Sequence, residues 1–484
     1  MHGGMVMVVG VFDCGVLQWV DGSSIQCVSP QHMLNYFMQL PDNHYIIYVS
    51  DVSAIEGFIG HIVRAFPHNQ HRKSMSWDAI ISVSKQFYNF RVTFHAKKSV
   101  TFYDIKNLLH SNEHEILNSY GSYIEAARAI VDLDIAAITA GSAAMKKFKE
   151  NRVQWYVEKF PQLGDDIKTA LRGGYIGGYM QANPGEYDSA IDFDVNSMYP
   201  WILRTQWLPY GEPEEYDGEY EHDKTMPLHA DMLTFRADLK DGGLPFLSDA
   251  IMSAYTEKST STHGFVTRVL TDIDQELLYE NYDVTLFEHV RGWKFRRSKG
   301  MFLSYVNEWY NMKRNATGAQ RELAKIMLNS LVGKMASIQQ GGSLLPRWDN
   351  GTIILEPYTR DKNNIADDYI PVPMWVNAYA RQRLLHECRK NMGRLIYANT
   401  DGFMLSGMEI PPDMELDSRK LGAWKVENTF DKCVILGMNR YQGHDVNGSI
   451  KLVNSGAPRS TPIDWKDYHK GATVLDDYGE DMIL

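Results

Sequence analysis

The sequence predicts an α+β protein of several domains, on three observations. Its 484 residues are enough for two or three substantial cores. Hydrophobic residues make up 44% of the chain, the level of a folded protein rather than a disordered one. Short strand-like runs and amphipathic helices are mixed along its length.

The most informative stretch is Asp192-Phe193-Asp194-Val195-Asn196-Ser197-Met198-Tyr199-Pro200. Ile191, Phe193 and Val195 alternate with Asp192, Asp194 and Asn196, the pattern of a strand end. Pro200 closes the turn that follows or opens a helix through Trp201-Ile202-Leu203. A carboxylate at a strand end can hold a metal, with the next backbone carbonyl as a second oxygen ligand. An ordinary strand and turn with a solvated aspartate is the other reading.

A second stretch runs from Lys325 to Lys334, with Lys313 and Arg321 upstream. Lys325, Asn329 and Gly333 recur every four residues and so share one helical face. A lysine and an asparagine on one face suit a triphosphate and a base or sugar. A third stretch, Leu395 to Leu405, has apolar runs on both sides of a polar tip that contains Asp401, which predicts a hairpin. Two carboxylates from separate strands, Asp194 and Asp401, could bind two divalent ions and serve phosphoryl transfer.

In this order the stretches resemble the signature motifs of the family B DNA polymerases, most closely their small protein-primed phage branch. Asp194 to Pro200 is similar to motif A (D-x-x-S-L-Y-P), Lys325 to Gly333 to motif B (K-x-x-x-N-S-x-Y-G) and Tyr397 to Gly402 to motif C (Y-x-D-T-D-S). Thr139-Ala140-Gly141-Ser142, Arg172-Gly173-Gly174, Leu208-Pro209-Tyr210-Gly211 and Lys420-Leu421-Gly422 also resemble that branch. The likeness covers roughly residues 135–445.

The resemblance implies a right-hand polymerase with palm, fingers and a small thumb, preceded by a reduced exonuclease-like (RNase H-like) α/β domain. The expected division is 1–138 for that N-terminal domain, 139–200 for a linker and first palm segment, and 201–312 for a first insertion with palm elements. A fingers helix over 313–335, a second insertion forming a strand-displacement hairpin over 336–370, palm over 371–440 and thumb over 441–484 complete it. It further implies a DNA-directed DNA polymerase, protein-primed and strand-displacing, that copies a viral or mobile-element genome. Asp194 and Asp401 would be catalytic and, with the Val195 carbonyl, hold two Mg²⁺ ions that Mn²⁺ can replace. Lys313, Arg321 and Lys325 would stabilise the triphosphate, Asn329 would orient the nucleotide, and Tyr199 under the sugar would exclude a ribose 2′-hydroxyl. Arg172, Gly173, Gly174, Thr400, Arg440 and Tyr441 would contact DNA. The implied partners are primer-template DNA, dNTPs, a terminal priming protein and a single-stranded DNA-binding protein, in the cytoplasm of a host cell (bacterial if the gene is a phage's).

In chain order, residues 1–138 predict strands at Met5–Phe12 and Tyr45–Val49 and helices at Ile55–Phe66 and Ile116–Ile135. In the resembled family this region is a two-metal 3′–5′ exonuclease whose first motif is D-x-E. Here no Asp before residue 138 is followed by Glu two places on, and the early candidate is Asp13-Cys14-Gly15. The nearest counterparts of the later acids are Glu56, and Glu115 with Ser119; Asp132 and Asp134 stand too close to Thr139. Metal-dependent hydrolysis fails without its ligands, so a structural domain without proofreading is expected. The competing reading makes Asp13, Asp51 and Glu56 an unconventional metal site.

Arg172 to Tyr179 is Gly-rich with interleaved tyrosines, either a close approach to phosphates or a tight turn. The family has a Tyr where Leu171 stands. Leu208 to Pro213 is expected to break regular structure, and a helix is expected around Asp272–Glu280. Gln339 to Gly342 and Asp349-Asn350-Gly351 are turn signals. Tyr369 to His386 reads as an extended run followed by a helix. Asn439-Arg440-Tyr441 resembles the family's K-x-Y element, with Asn439 in place of the Lys and Arg440 taking the cationic role. The remaining segment can build only a small thumb.

Formal net charge is −11, which argues against chain-wide affinity for phosphates. A DNA channel would need local clusters; the candidates are Arg64 to Lys73, Lys294 to Lys299, Lys313-Arg314 and Arg381 to Arg394. Solvated faces explain the same clusters. Cys14, Cys27, Cys388 and Cys433 lie far apart with no C-x-x-C pair, against a disulfide framework or zinc site and in keeping with a reducing cytosol. Met5 to Phe12 is too short and unflanked for a signal peptide, and no run reaches membrane length, so no membrane partner is expected.

Three departures bear on activity. Asn399 stands where motif C has its first Asp, Val332 where motif B has its Tyr, and Gly402 where motif C ends in Ser. With the missing exonuclease acids they predict low fidelity. Two other functions stay open: a polymerase-derived DNA-binding factor with an impaired centre, and a primer-independent family B polymerase.

Overall fold

A computed structural model describes residues 8–50, 53–65, 76–82, 87–109, 113–247, 261–337, 343–349, 352–358, 368–445, 447–454, 468–469, 473–475 and 481–483. The chain divides into two compact units. The first contains Met1–Gln154 and Ser304–Asp368, and the second Trp155–Leu303 and Tyr369–Leu484.

The first unit is built on a nine-stranded sheet. Val8–Asp13, His44–Val49 and Lys98–Asp104 run parallel at its centre, and the other strands pair antiparallel. Parallel neighbours need a crossover. Here the helix Pro30–Gln39 lies between the first two, opened by Pro30 at its first turn and by Ser29, whose hydroxyl accepts from the His32 N–H at 3.1 Å. The core under the sheet is aromatic: Phe37, Phe58, Phe90 and Phe102 are buried and meet edge-on or tilted. Each such ring contributes on the order of 2–3 kcal/mol by leaving water.

Several expectations change here. The first described strand starts at Val8, and Met5 to Met7 lie outside the described residues. The single helix expected over Ile116–Ile135 is two, Glu113–Tyr120 and Tyr123–Asp132. Gly121 at φ +77° ends the first, and Ser122 caps the second by accepting from the Glu125 N–H at 3.3 Å. The hairpin Ser343–Asp349 with Thr352–Tyr358 lies in the expected second insertion, yet it extends the N-terminal sheet: Ser343 and Leu344 pair with Ser82 and Ile81. The turn residues Gln339 to Gly342, Asn350 and Gly351 lie outside the described residues. Helix Gly318–Ala336 packs in this unit too, burying Leu323, Met327, Leu331 and Met335 on the side away from Lys325 and Asn329.

The second unit holds an antiparallel eight-stranded sheet. Its order is Ile450–Asn454, Arg440–Asp445, Trp424–Gly437, Ala190–Val195, Gly402–Ser406, Leu395–Asn399 and Met180–Ala182, with Gly185–Tyr187 also paired to Trp424–Gly437. A four-stranded sheet combines Leu208–Tyr216, Tyr282–Ser298, Leu228–Leu239 and Val266–Thr271. Leu208 to Pro213, expected to break structure, is an edge strand with a register shift between Tyr210 and Glu214. An edge position tolerates prolines because one row of its amides needs no partner. Tyr369 to His386 is helical from Pro371 onward, with no extended run, because Pro371 and Pro373 both sit in the first turn. Thr473–Leu475 and Asp481–Ile483 pair as a short separate ribbon. Among the described residues no helix is long and apolar enough to cross a membrane.

Of the two expected basic clusters in this unit, Lys294 to Lys299 leaves Arg296, Arg297 and Lys299 exposed, whereas several cations of Arg381 to Arg394 bond to the protein itself. Arg381 is buried and ion-paired to buried Asp274 at 2.6 Å, with its other donors on the Ile176 and Gly177 carbonyls. Arg383 donates to the Gly422 carbonyl and lies over Trp201, Arg389 bonds Glu280 and Asn281, and Arg394 donates to Ser406 and Glu409 carbonyls. Lys294 pairs with Asp223 at 2.9 Å and Glu214 at 3.2 Å. These cations join elements of the unit.

Candidate active site

Asp194 lies near the end of the strand Ala190–Val195, which pairs on one side with Gly402–Ser406 and on the other with Trp424–Gly437. The expected hairpin forms from Leu395–Asn399 and Gly402–Ser406, with Thr400 and Asp401 at its tip. Asp194 pairs directly with Gly402, which places Asp401 beside it. The Val195 N–H donates to the Asp401 carbonyl at 2.9 Å. The approach is so close that a Cβ on Gly402 would stand 2.7 Å from the Phe193 carbonyl oxygen. Glycine at the Ser position of motif C is therefore a packing requirement.

The chain then turns. Ser197 takes a left-handed φ of +53°, and helix Met198–Thr205 begins, with Pro200 in its first turn. Asn196 holds the turn: its side-chain amide donates to the Ser418 and Lys420 carbonyls, and its N–H donates to Ala423. Thus Lys420-Leu421-Gly422 is fastened to the motif A turn. Tyr199 is half-buried on that helix, and burial and the nearby Asp401 carboxylate raise the pKa of its hydroxyl.

Burial, then the Asp401 charge, pushes the Asp194 carboxyl up to about 7. Burial raises Asp401 as well. Lys425, directly across from Asp194 on the neighbouring strand, brings its Nζ to 3.8 Å from Asp194 Oδ1 and also pairs with Glu427. Asp192, two residues back, is buried and bonded by Asn428 at 2.7 Å and Lys451 at 3.2 Å. Lys425 and Glu427 were not legible as site residues. The alternation Lys425, Glu427 in a strand was their only signal, and nothing local ties it to Asp194.

Two half-buried acids side by side, faced by Lys425 at 3.8 Å from Asp194, fit a divalent cation. Among the described residues, no group of three or more His, Cys, Asp or Glu side chains is arranged to hold a metal. The carboxylates that strand pairing brings together here are those of Asp194 and Asp401.

Thr400 adopts φ +57°, and its N–H donates to the Tyr179 carbonyl at 2.8 Å. Arg172 and Gly173 end the helix Asp165–Gly173. A Cβ on Gly174 would meet the Val269 carbonyl oxygen at 2.6 Å, so this glycine admits a strand of the protein. Tyr441 is buried with its ring 5.3 Å from Tyr397, so it supports the sheet from within, whereas Arg440 is half-buried.

Lys313, Arg321, Lys325 and Asn329 belong to the first unit. Lys325, Asn329 and Gly333 share a helical face and line a cavity of about 680 Å³. Thr139 and Gly141 line the same cavity; Thr139 caps the helix Ala140–Lys149 by accepting from the Ser142 N–H at 3.2 Å. Arg321 is exposed on the same helix, and Lys313 lies over the Tyr310 ring on the preceding one. Val332, two turns beyond Lys325 on the same side of the helix, is buried in this unit. Asp13 ends a central strand and accepts from the Ser50 hydroxyl, and Glu56 is exposed on the helix Ser53–Ala65. Asp51 lies outside the described residues.

Residues 113–412, more than half of the chain, match the profile of the family described as DNA polymerase type B, organellar and viral. The chain is similar to the DNA polymerase of Bacillus phage phi29, 32% identical over 344 residues that cover 68% of this chain and 58% of that protein. It is also similar to the DNA polymerase of Bacillus phage Nf, 31% identical over 329 residues covering 65% of this chain and 57% of that one. The match thus spans 57–58% of the length of these relatives. Phi29 DNA polymerase complexed with primer-template DNA and incoming nucleotide substrates superposes with a TM-score of 0.85 at 21% identity, over 100% of this chain and 99% of that chain. Phi29 DNA polymerase complexed with single-stranded DNA gives 0.82 at 22% identity, over 97% and 95%. At such identities the likeness shows the fold, the right-hand polymerase with an exonuclease-like domain expected from the sequence.

Proposed function

Because the chain belongs to the type B DNA polymerases of organelles and viruses, we propose that it is a DNA-directed DNA polymerase that adds deoxynucleotides to a hydroxyl by two-metal nucleotidyl transfer. The observation that carries the reading is the Asp194–Asp401 pair, held together by strand pairing and the Val195–Asp401 hydrogen bond. In this reading Asp194, Asp401 and the Val195 carbonyl hold Mg²⁺ or Mn²⁺. Once bound, such ions lower the pKa of an attacking hydroxyl and offset charge on a triphosphate.

The chain's own residues set the rest. Lys325, with Lys313 and Arg321, offers fixed positive charge to the triphosphate, and Asn329 offers an amide to the nucleotide one turn along the same helical face. Tyr199 shapes the sugar position, and Thr400, Arg172 and Arg440 meet the DNA. The remaining parts of the reading are proposals on the sequence likeness to the protein-primed branch: a terminal protein supplies the first hydroxyl, a single-stranded DNA-binding protein assists, synthesis displaces the non-template strand, and the genome copied is viral or mobile, in the host cytoplasm. Absence of proofreading is proposed from the missing D-x-E acids.

The test is nucleotide incorporation with Mg²⁺ on a primed single strand, on an unprimed strand, and on an unprimed strand with a candidate terminal protein. Extension of the primed strand supports the polymerase reading. Incorporation onto the protein supports protein priming, and products on the bare template favour primer-independent synthesis. DNA binding without incorporation in any arm overturns the reading in favour of a binding factor.

A further inference from the structure

Beside the paired aspartates lies a polar contact that the mechanism above does not use. The Asn399 side-chain amide donates to Asn439 Oδ1 at 2.9 Å. Asn399 Oδ1 in turn accepts from the Thr400 hydroxyl at 2.9 Å. The Tyr397 hydroxyl donates to the same Asn439 oxygen at 3.2 Å and accepts from the Asn439 N–H at 3.2 Å. Asn399 precedes the hairpin tip that carries Asp401, and Asn439 sits in the turn between Trp424–Gly437 and Arg440–Asp445. The contact therefore fastens one turn of the sheet to the other. Both positions depart from the motifs the chain resembles, which have an acid at 399 and a lysine at 439.

We infer that Asn399 and Asn439 act as one unit, a neutral side-chain pair that positions the Asp401 tip in place of an acid–lysine pair. The inference rests on the polymerase reading for its catalytic consequence, and on three physical points for the pairing. The first is charge. Asp192, Asp194, Asp401 and Glu427 already crowd the site against Lys425 and Lys451. One further acid at 399 would add repulsion at close range, whereas exchanging both partners leaves the local sum unchanged. The second is hydrogen bonding. An aspartate at 399 would lose the donor to Asn439 and set two acceptor oxygens face to face, and turning the Asn439 amide over to donate would break its bond from the Tyr397 hydroxyl. The third is backbone shape. Asn439 has φ +54°, a left-handed conformation that asparagine adopts at lower cost than lysine. The substitution at 439 suits its turn only if 399 no longer needs a cation.

The test is a mutant cycle on single-nucleotide addition and on melting temperature. The proteins are the parent, Asn399→Ala, Asn439→Ala, the double alanine, Asn399→Asp, Asn439→Lys, and Asn399→Asp with Asn439→Lys. Each alanine should lower kcat roughly tenfold, leave KM for the nucleotide within about twofold, and the double should be no slower than the slower single. Asn399→Asp alone should also be slow, and adding Asn439→Lys should return kcat to within about threefold of the parent, a rescue that mere structural damage would not give. Effects that multiply, a raised KM without a loss in kcat, absence of rescue, or an Asn399→Asp enzyme faster than the parent would overturn the pairing. Should the parent add no nucleotide with Mg²⁺ or Mn²⁺, the polymerase reading fails. The pairing then stands or falls on the melting temperatures, where additive alanine shifts overturn it and non-additive ones support it.

Discussion

Val195 donates its backbone N–H to the carbonyl oxygen of Asp401 at 2.9 Å, so the residue after the first aspartate is bonded to the second. The contact joins a strand end to a hairpin tip more than 200 residues away in sequence. It fixes the two carboxylates through the main chain rather than through a side-chain contact. The strands meet just as closely at Gly402, where a Cβ would stand 2.7 Å from the Phe193 carbonyl.

Gly402→Ser should therefore damage the protein although it restores the motif C residue. Overpacking of this kind costs about 1–3 kcal/mol. Urea unfolding should show that loss together with slower nucleotide addition. A serine variant as stable and as fast as the parent would show that the strands separate freely.

Lys325→Ala should raise the KM for dNTP and lower kcat/KM on the order of 10- to 100-fold, a charge-assisted contact being worth about 1.5–3 kcal/mol. The lysine is exposed on its helix, so stability should hardly change. Steady-state kinetics with one dNTP varied would show it. A variant with unchanged KM and kcat would remove Lys325 from the nucleotide site.

Labelled primer incubated with Mg²⁺ and no dNTP should keep its length. Asp13 accepts from Ser50, and Glu56 is exposed on its helix. Shortening of the 3′ end that is lost in Asp13→Asn would establish an unconventional nuclease site instead.

Asp272 supplies a pH effect away from the aspartate pair. Burial pushes its carboxyl up to about 7, and it accepts from Trp375 Nε1 at 2.8 Å and the Ile273 N–H at 3.0 Å. Its folded pKa lies above the unfolded value of about 3.9, so between those limits the folded protein keeps a proton that the unfolded chain releases. Stability from this group is full below about pH 4 and is lost as pH rises through about 7. Asp272→Asn should gain melting temperature relative to the parent at pH 8 compared with pH 5. A difference that stays constant across that range would contradict the buried proton.

The polymerase elements were legible because their signals are local. Alternation around Asp194, the four-residue spacing of Lys325, Asn329 and Gly333, and the polar tip at Asp401 each fix one element without reference to the rest. What stayed hidden depends on distant partners. Arg381 reads as a channel cation until Asp274 closes on it in the core, 107 residues away in sequence. The hairpin Ser343–Asp349 reads as an isolated insertion until its edge meets Ser82. Lys425 joins the site through strand register with Asp194, which no spacing in the sequence reveals. Pro209 and Pro213 signalled a break because their tolerance depends on an edge position set by the sheet.

The most direct measurement is the rate of single-nucleotide addition to a primed template with Mg²⁺, for the parent beside Asp194→Asn and Asp401→Asn, with melting temperatures in parallel. The expected result is addition by the parent and a loss of roughly 10³-fold or more in both variants, on the scale of a group that holds the catalytic ions. Both variants should stay folded, since an amide fills the space of each carboxylate without its charge. A parent that adds no nucleotide, or folded variants that add it at the parent's rate, would contradict Asp194 and Asp401 as the catalytic pair.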